Sequence, residues 1–400
     1  VGVRDSTVGV YVHVPFCQRV CPYCDFAVVA ARSLTAAAES RYVDALLREL
    51  EARRPAFAGR SLASLYFGGG TPSLLRPAAI ARIAAAVREA FAPGAEPPEV
   101  TLEVNPSTLE RERLPGFRDA GVGRISLGIQ SFDDAVLRRL GRAHRAEAGR
   151  RTLRACREVG FASVSIDLIF GAPGQTPTDF RRDLAEVVAF APEHVSTYEL
   201  TIEPGTPFAT AAARGQLRIP ADPDVRDRRA LAMLEDAEAT LGAAGWIRYE
   251  LSNYARPGFE SVHNRRYWER RPVLGLGVGA FSTDPPAPHA PFGVRRANRR
   301  ELGAYLEAVA AGRSPEAAPG EVLDARTSRG EALFLALRTA RGLDAARFAE
   351  EFGAPPRRFH GEAIDDLLAA GLLAESATAG DLCLTPQGRL LSDTVFERFV

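Results

Sequence analysis

Three of the chain's five cysteines, Cys17, Cys21 and Cys24, stand in the string CQRVCPYC, spaced C-x3-C-x2-C. A single loop leaving the apolar run VGVYVHV can bring three thiolates of that spacing together. Three is the informative number. A structural zinc site closes with four ligands and an electron-transfer iron-sulfur cluster takes four cysteines. Only His13 lies near enough in sequence to add another donor, and it is expected to point inward from a strand ahead of Pro15. Three cysteines on a four-iron cluster leave one iron open to an exogenous ligand, the counterpart of the open position in catalytic zinc sites. An incomplete zinc site and a set of redox thiols are the other readings of this spacing. Cys156, in a helical pattern, and Cys383, in a strand pattern, read as small apolar core residues. A disulfide framework is not expected from so sparse a set.

Composition narrows the field. The 400 residues are 46% hydrophobic and 25% charged, and 50 basic residues balance 50 acidic ones. That is the make-up of a globular chain with a large domain and one or two smaller ones. A net charge of zero supplies no long-range field, so no nucleic-acid partner is expected. Every basic residue is arginine, which excludes Schiff-base, pyridoxal phosphate and Walker-lysine chemistry. The N-terminal stretch has no signal-peptide grammar and no segment approaches the ~18 apolar residues of a membrane span, so a cytoplasmic protein without an integral membrane segment is expected.

The elements that must position the cysteines repeat one pattern from residue 8 to about 204. A short β-branched run is followed by a Gly, Pro or polar loop and then by an amphipathic Ala/Leu/Arg stretch. The runs are 8–14, 63–67, 100–104, 124–129, 163–170 and 194–201. Six βα units are predicted, with parallel strands covered by helices, as a partial (β/α)6 barrel. Polar and glycine residues follow each run, and βα architectures gather ligand sites at the carboxyl ends of their strands. The chemistry therefore converges on one rim. A Pro-rich connector at 205–225 and a Pro/Gly-rich stretch near 314–320 divide the chain into 1–204, 205–320 and 321–400. The second part is an α/β extension. The third reads as helices and a strand pair of winged-helix type, and its nine arginines against eleven acidic residues from 325 onward favour packing or partner docking over DNA binding. GLGVGA at 275–280 has no βαβ unit around it and GGGTP lacks a P-loop ending, so neither reads as a nucleotide motif.

The cysteine motif followed by GGGTP at 68–72 resembles the radical S-adenosylmethionine superfamily. The strings YVHVPFC, CPYCDF, YFGGGTPS, EVNP, GIQSF, DLIFGAPGQT and YELTIEPGTP are similar, in order, to the branch holding oxygen-independent coproporphyrinogen dehydrogenase and the HemW heme chaperones. The resemblance implies a radical SAM barrel with a [4Fe-4S] cluster on Cys17, Cys21 and Cys24 and S-adenosylmethionine on the open iron. It implies contacts to the methionine end from Gly69, Gly70 and Thr71 and to adenine from Tyr23, with Tyr11, Glu103, Gln130, Arg142 and Asp167 as candidates for the remaining polar groups. Taken singly, Glu103 or Asp167 reads as a helix cap and Gln130 as a loop bridge; their arrival at successive strand ends favours the site.

Within the branch, the dehydrogenase pattern has a fourth cysteine two residues after the third. Here that residue is Phe26, which favours the heme-chaperone side. VHNRRYW at 262–268 matches an H-N-x-x-Y-W motif that the resemblance associates with heme. It makes His263 the candidate axial ligand and Tyr267 and Trp268 candidate porphyrin surface. The implied function is delivery of heme to apo-hemoproteins of the respiratory chain. Turnover is not needed for that role, although a radical oxidative decarboxylation of a porphyrinogen is the alternative. A zinc-stabilised scaffold leaves the other strand-end motifs unexplained. The resemblance leaves peripheral membrane contact and a homodimer open.

Overall fold

Valines at 8, 10, 12 and 14 are all fully buried on one face of the first strand, while Gly9, Tyr11 and His13 face the other way. That two-residue alternation, with both faces covered, is the signature of a strand in a helix-covered parallel sheet. The computed structural model describes residues 6–31, 33–220, 222–375 and 380–400. Its barrel strands are β1 (Thr7–Val14), β2 (Ser61–Gly69), β3 (Glu99–Val104), β4 (Arg124–Gln130), β5 (Ser163–Phe170) and β6 (His194–Glu199). They pair in chain order, all parallel, with Tyr11 beside Tyr66, Phe67 beside Leu102, Glu103 beside Ser126 and Asp167 beside Ser196. This is the expected run of six parallel βα units.

The covering helices start where local chemistry dictates. Thr35 caps Ala36–Arg53 by accepting from the Ala38 N–H, and Thr176 with Asp179 forms a reciprocal capping box on Pro177–Phe190. Proline stands at the first turn of Pro77–Ala90, Pro177–Phe190 and Pro223–Ala243, where its missing N–H costs nothing. Each helix buries an i, i+3/i+4, i+7 stripe, such as Tyr42, Val43, Leu46 and Leu50, against the sheet.

Residues from 205–320 continue the barrel sheet at both edges. Val273–Leu276 pairs in parallel with β1, and Asn253–Ala255 pairs antiparallel with β6. Among the described residues the sheet reaches twelve strands. Met233, Leu241, Tyr254, Leu276 and Tyr305 sit in the same apolar core as the barrel strands, so the extension shares that core. Residues of the C-terminal unit form a second core around Leu333, Leu343, Phe348, Ile364 and Phe396. Its helices Ala325–Leu337, Ala345–Phe352 and Arg357–Ala369 precede an antiparallel pair, Leu373–Glu375 with Leu382–Leu384. The tip of the strand pair expected there, 376–379, lies outside the described residues. No described helix is long and apolar enough to cross a membrane.

Candidate functional site at the barrel rim

The cysteine loop leaves the carboxyl end of β1 and is clamped shut at its foot. Phe16–Cys17 pairs in parallel with Val29–Ala30, and the Ala31 N–H donates to the Cys17 carbonyl at 2.7 Å. The His13 ring bonds the Ala27 carbonyl at 2.9 Å through Nε2, holding the returning limb against β1. The glycine run fits beneath the loop. Gly70 and Thr71 donate backbone N–H groups to the carbonyls of Val14 and Phe16. A side chain at Gly70 would stand 2.8 Å from the Val14 carbonyl oxygen, and Gly69 has φ +106° with the His13 ring 2.5 Å from any added Cβ. Only glycine fits either position.

A side-chain network then ties the rim to the thiols. Thr71 Oγ1 lies 3.6 Å from Cys17 Sγ and accepts from Asn105 Nδ2 at 2.8 Å; Arg142 reaches Asn105 Oδ1, the Gly128 carbonyl and, at 3.5 Å, Cys21 Sγ. Tyr23 packs on Phe208 and lies beside Arg142 and Cys21. Burial pushes the Cys17 thiol up to about 11 and raises that of Cys24 as well, so in the free protein both are neutral thiols and a metal centre must displace their protons. Among the described residues no three His, Cys, Asp or Glu side chains are gathered into the tight shell a single ion takes. Cys17, Cys21 and Cys24 stand on the one loop that leaves β1, a donor set that fits a cluster whose irons each take one cysteine.

Three of the expected residues lie deeper. Tyr11, Tyr66 and Glu103 converge inside the barrel around Gly68, where an added Cβ would lie 2.9–3.1 Å from all three. Glu103 accepts from Tyr66 Oη at 2.9 Å and from the Gly69 N–H at 3.1 Å. Burial pushes its carboxyl up to about 7, opposed by the Tyr66 hydrogen bond and reinforced by the negative Asp167. Asp167 accepts from Ser126, Ser165 and Ser196, one hydroxyl from each of three adjacent strands. Burial again raises its pKa. Gln130 ends β4 with φ +66°, a left-handed backbone uncommon for a non-glycine residue; its amide nitrogen and Asn105 Oδ1 both stand within 3.2 Å of where a Gly128 Cβ would be.

His263 is elsewhere. The short helix Val262–Trp268 crosses the opposite, N-terminal mouth of the barrel. Its first turn is held by Glu99, which opens β3 and accepts from the Val262 and His263 N–H groups. Arg266 bonds the Thr7 and Pro272 carbonyls. The His263 ring is 1% exposed, stacks 5.1 Å from Tyr66, and has Nδ1 on Ser64 Oγ at 2.9 Å and Nε2 on Tyr267 Oη at 3.1 Å. Burial, with the Arg266 and Arg124 charges added, pushes it down to about 3, so it is neutral. It closes the barrel floor, remote from the cysteine rim, with both nitrogens occupied.

The structure thus brings Cys17, Cys21, Cys24, Tyr23, Gly69, Gly70, Thr71 and Arg142 to one rim, with Gln130 beside them. Tyr11, Glu103 and Asp167 lie below it, and His263 at the far end. Asn105, Tyr66 and His13 belong to the arrangement and were not singled out from sequence as ligand contacts; the first two lie within EVNP and YFGGGTPS, the strings that carried their neighbours.

Residues 11–187 match the radical SAM superfamily and residues 323–391 the HemN C-terminal domain. The chain is 32% identical to the heme chaperone HemW of Bacillus subtilis (strain 168) over 98% of both chains. It is 38% identical to the heme chaperone HemW of Mycobacterium tuberculosis, over 97% of this chain and 93% of the other. Among solved structures, coproporphyrinogen III oxidase (HemN) from Escherichia coli superposes with a TM-score of 0.81 at 27% identity, over 98% of this chain and 90% of the other.

Proposed function

The chain belongs to the HemW family of the radical SAM superfamily, and from that premise we propose that it is a heme chaperone carrying a [4Fe-4S] cluster and S-adenosylmethionine. In this reading it takes up heme and hands it to apo-hemoproteins such as respiratory enzymes, in the cytoplasm. The single observation behind the reading is the end-to-end likeness to heme chaperones, which spans the cysteine rim, the barrel floor and the C-terminal unit together. Bound at three thiolates, the cluster supplies an open iron and a single electron for S-adenosylmethionine. The chain's own residues do the rest. Cys17, Cys21 and Cys24 hold the metal, Gly69, Gly70 and Thr71 leave room for a ligand's methionine end, and Tyr23 offers a ring to its adenine. Glu103, Asp167, Gln130, Arg142 and Tyr11 supply polar groups at the rim and beneath it.

A second reading, an oxygen-independent coproporphyrinogen III oxidase, is favoured by the superposition on HemN. Phe26 weighs against it. It is 66% exposed beside the cysteine loop, at the position where that enzyme's pattern has a further cysteine. Ligation of heme iron by His263 requires its ring to give up one of two bonds, that of Nδ1 to Ser64 or that of Nε2 to Tyr267, since neither nitrogen is free. The test is anaerobic reconstitution followed by heme titration and by product analysis with coproporphyrinogen. Saturable heme binding without decarboxylation is expected. Porphyrinogen turnover without saturable heme binding would end the chaperone reading.

A further inference from the structure

Gln130 is held in a conformation that residues with a side chain disfavour. The Ser131 N–H bonds the Ile129 carbonyl at 2.9 Å across it, closing a three-residue turn with Gln130 at φ +66°. Turns of this hand are rare and strained, and such a backbone persists only where its surroundings over-determine it. The register against β5 also shifts between Leu127 and Gln130, a break of the kind that re-aims side chains beside functional sites. The side chain so delivered stands at the rim. Gln130 Nε2, Asn105 Oδ1 and Arg142 Nη2 all come within 3.3 Å of the point where a Gly128 Cβ would lie, and the Gln130 amide bonds no protein group among the described residues.

Two side chains behind the rim do the holding. Asp183, on the covering helix Pro177–Phe190, is 1% exposed and accepts from Ser131 Oγ at 2.8 Å and from the Phe132 N–H at 2.6 Å. Ser131 Oγ in turn accepts from the Asp133 N–H at 3.0 Å. The three residues after Gln130 are thus pinned through one carboxylate. From the other side, His144 Nε2 bonds the Ile129 carbonyl at 3.1 Å, next to Arg142, which donates to the Gly128 carbonyl. Burial, with the Arg142 charge added, pushes His144 down to about 4, so the ring is neutral and Nε2 carries the donated proton. Packing alone asks for neither group. An apolar residue at 183 would fill the space without the burial that pushes this carboxyl up to about 7. What the carboxylate adds is two acceptors at fixed places on the chain that follows Gln130.

We infer that Asp183 and His144 are positioning residues for the cofactor site: they hold the strained turn that directs the Gln130 amide at the polar groups of S-adenosylmethionine, and neither touches that ligand. The inference rests on the proposed cofactor reading and deepens it, because it puts part of the recognition in a clamp behind the rim.

The test combines calorimetric titration of S-adenosylmethionine into the full-length protein, its cluster reconstituted anaerobically, with urea unfolding of the cofactor-free protein. Gln130→Gly and Gln130→Ala both remove the amide, and each weakens binding about tenfold, equivalent to ~1.4 kcal/mol and the size of one hydrogen bond. Glycine adopts a positive φ freely, so Gln130→Gly unfolds at a higher urea concentration than Gln130→Ala. His144→Phe keeps a ring without the donor, and Asp183→Asn keeps one acceptor; in the wild-type background each weakens binding about three- to tenfold, and in the Gln130→Gly background, with no amide left to aim, each changes it by less than about twofold. A loss of stability alone does not produce that non-additivity. The two clamp variants are read separately, so one that folds poorly leaves the other to decide. Equal weakening in both backgrounds, full affinity in Gln130→Gly, or a Gln130→Gly protein no more stable than Gln130→Ala overturns the clamp and leaves the cofactor reading standing. No saturable binding of S-adenosylmethionine by the wild type overturns both.

Discussion

Glu103 gives the sharpest test of the barrel interior. Its carboxyl is pushed up to about 7 by burial, against ~4.3 in an unfolded chain. Between those values the native state binds a proton that the unfolded state has released, so stability falls as pH rises through this window and is fully retained below it. The gap corresponds to roughly 3.5 kcal/mol at ~1.36 kcal/mol per unit. Glu103→Gln fixes the neutral form. The substitution has its own cost, because the amide offers one acceptor where the carboxylate serves both Tyr66 and the Gly69 N–H. That cost does not depend on pH and drops out of a comparison across pH. Asp183, also pushed up to about 7 by burial, titrates alike in both proteins and cancels too. Urea unfolding of cofactor-free wild type and variant at pH 4 and pH 8, read where the slopes agree, should show the variant gaining about 3 kcal/mol on the wild type over that interval. Parallel curves, within about 1 kcal/mol, would refute the claim that the barrel interior strips water from this carboxylate.

Three further outcomes are expected. Replacing Cys17, Cys21 or Cys24 by Ser should lower the iron of the anaerobically reconstituted protein well below about four per chain, measured by iron assay and the visible chromophore, whereas Cys156→Ser, in the core, should not. His263→Ala should destabilise the fold by roughly 3 kcal/mol, since it empties a stacked buried position and strands Ser64 and Tyr267. Because the ring is held at about 3, the wild type should also lose stability as pH falls below ~6.5, where the unfolded chain takes up the proton first, and the variant should lose less; urea midpoints at pH 5 and 7.5 would show it. Glu49→Gln should cost about 1–3 kcal/mol in thermal or urea unfolding. Its carboxylate accepts from Gly277 N–H, Asn298 Nδ2 and Tyr305 Oη at 2.6–2.8 Å, and an amide must turn its NH2 toward at least one of those donors.

The six barrel strands were legible because each is a short β-branched run bounded by turn residues, and the runs at 124–129 and 163–170 agree with β4 and β5 to within a residue. The rim was legible for the same reason. Residues that follow a strand's carboxyl end share a location whatever their separation in sequence, which is how Thr71, Asn105 and Arg142 come to one network. Val273–Leu276 was not. Its pairing with β1 spans most of the chain, and a glycine-rich run carries no local mark of the partner it will choose. His263 shows the same limit for a site residue. The motif suggested an available imidazole, but the placement of its helix is set by Glu99 and Arg266 through contacts that local spacing does not encode.

The pairing of Gly9 with Val273 has a consequence for biosynthesis. At the ~5–20 residues per second of translation, on the order of 15–50 s separates the emergence of these two partners from the ribosome. Throughout that interval the outer edge of the strand that leads into the cysteine loop has nothing to pair with, and a naked edge invites association with other chains. Nascent polypeptide of this kind is a client for holding factors, and iron supplied before the seam closes would meet thiols on a ribbon whose final neighbours have yet to be made.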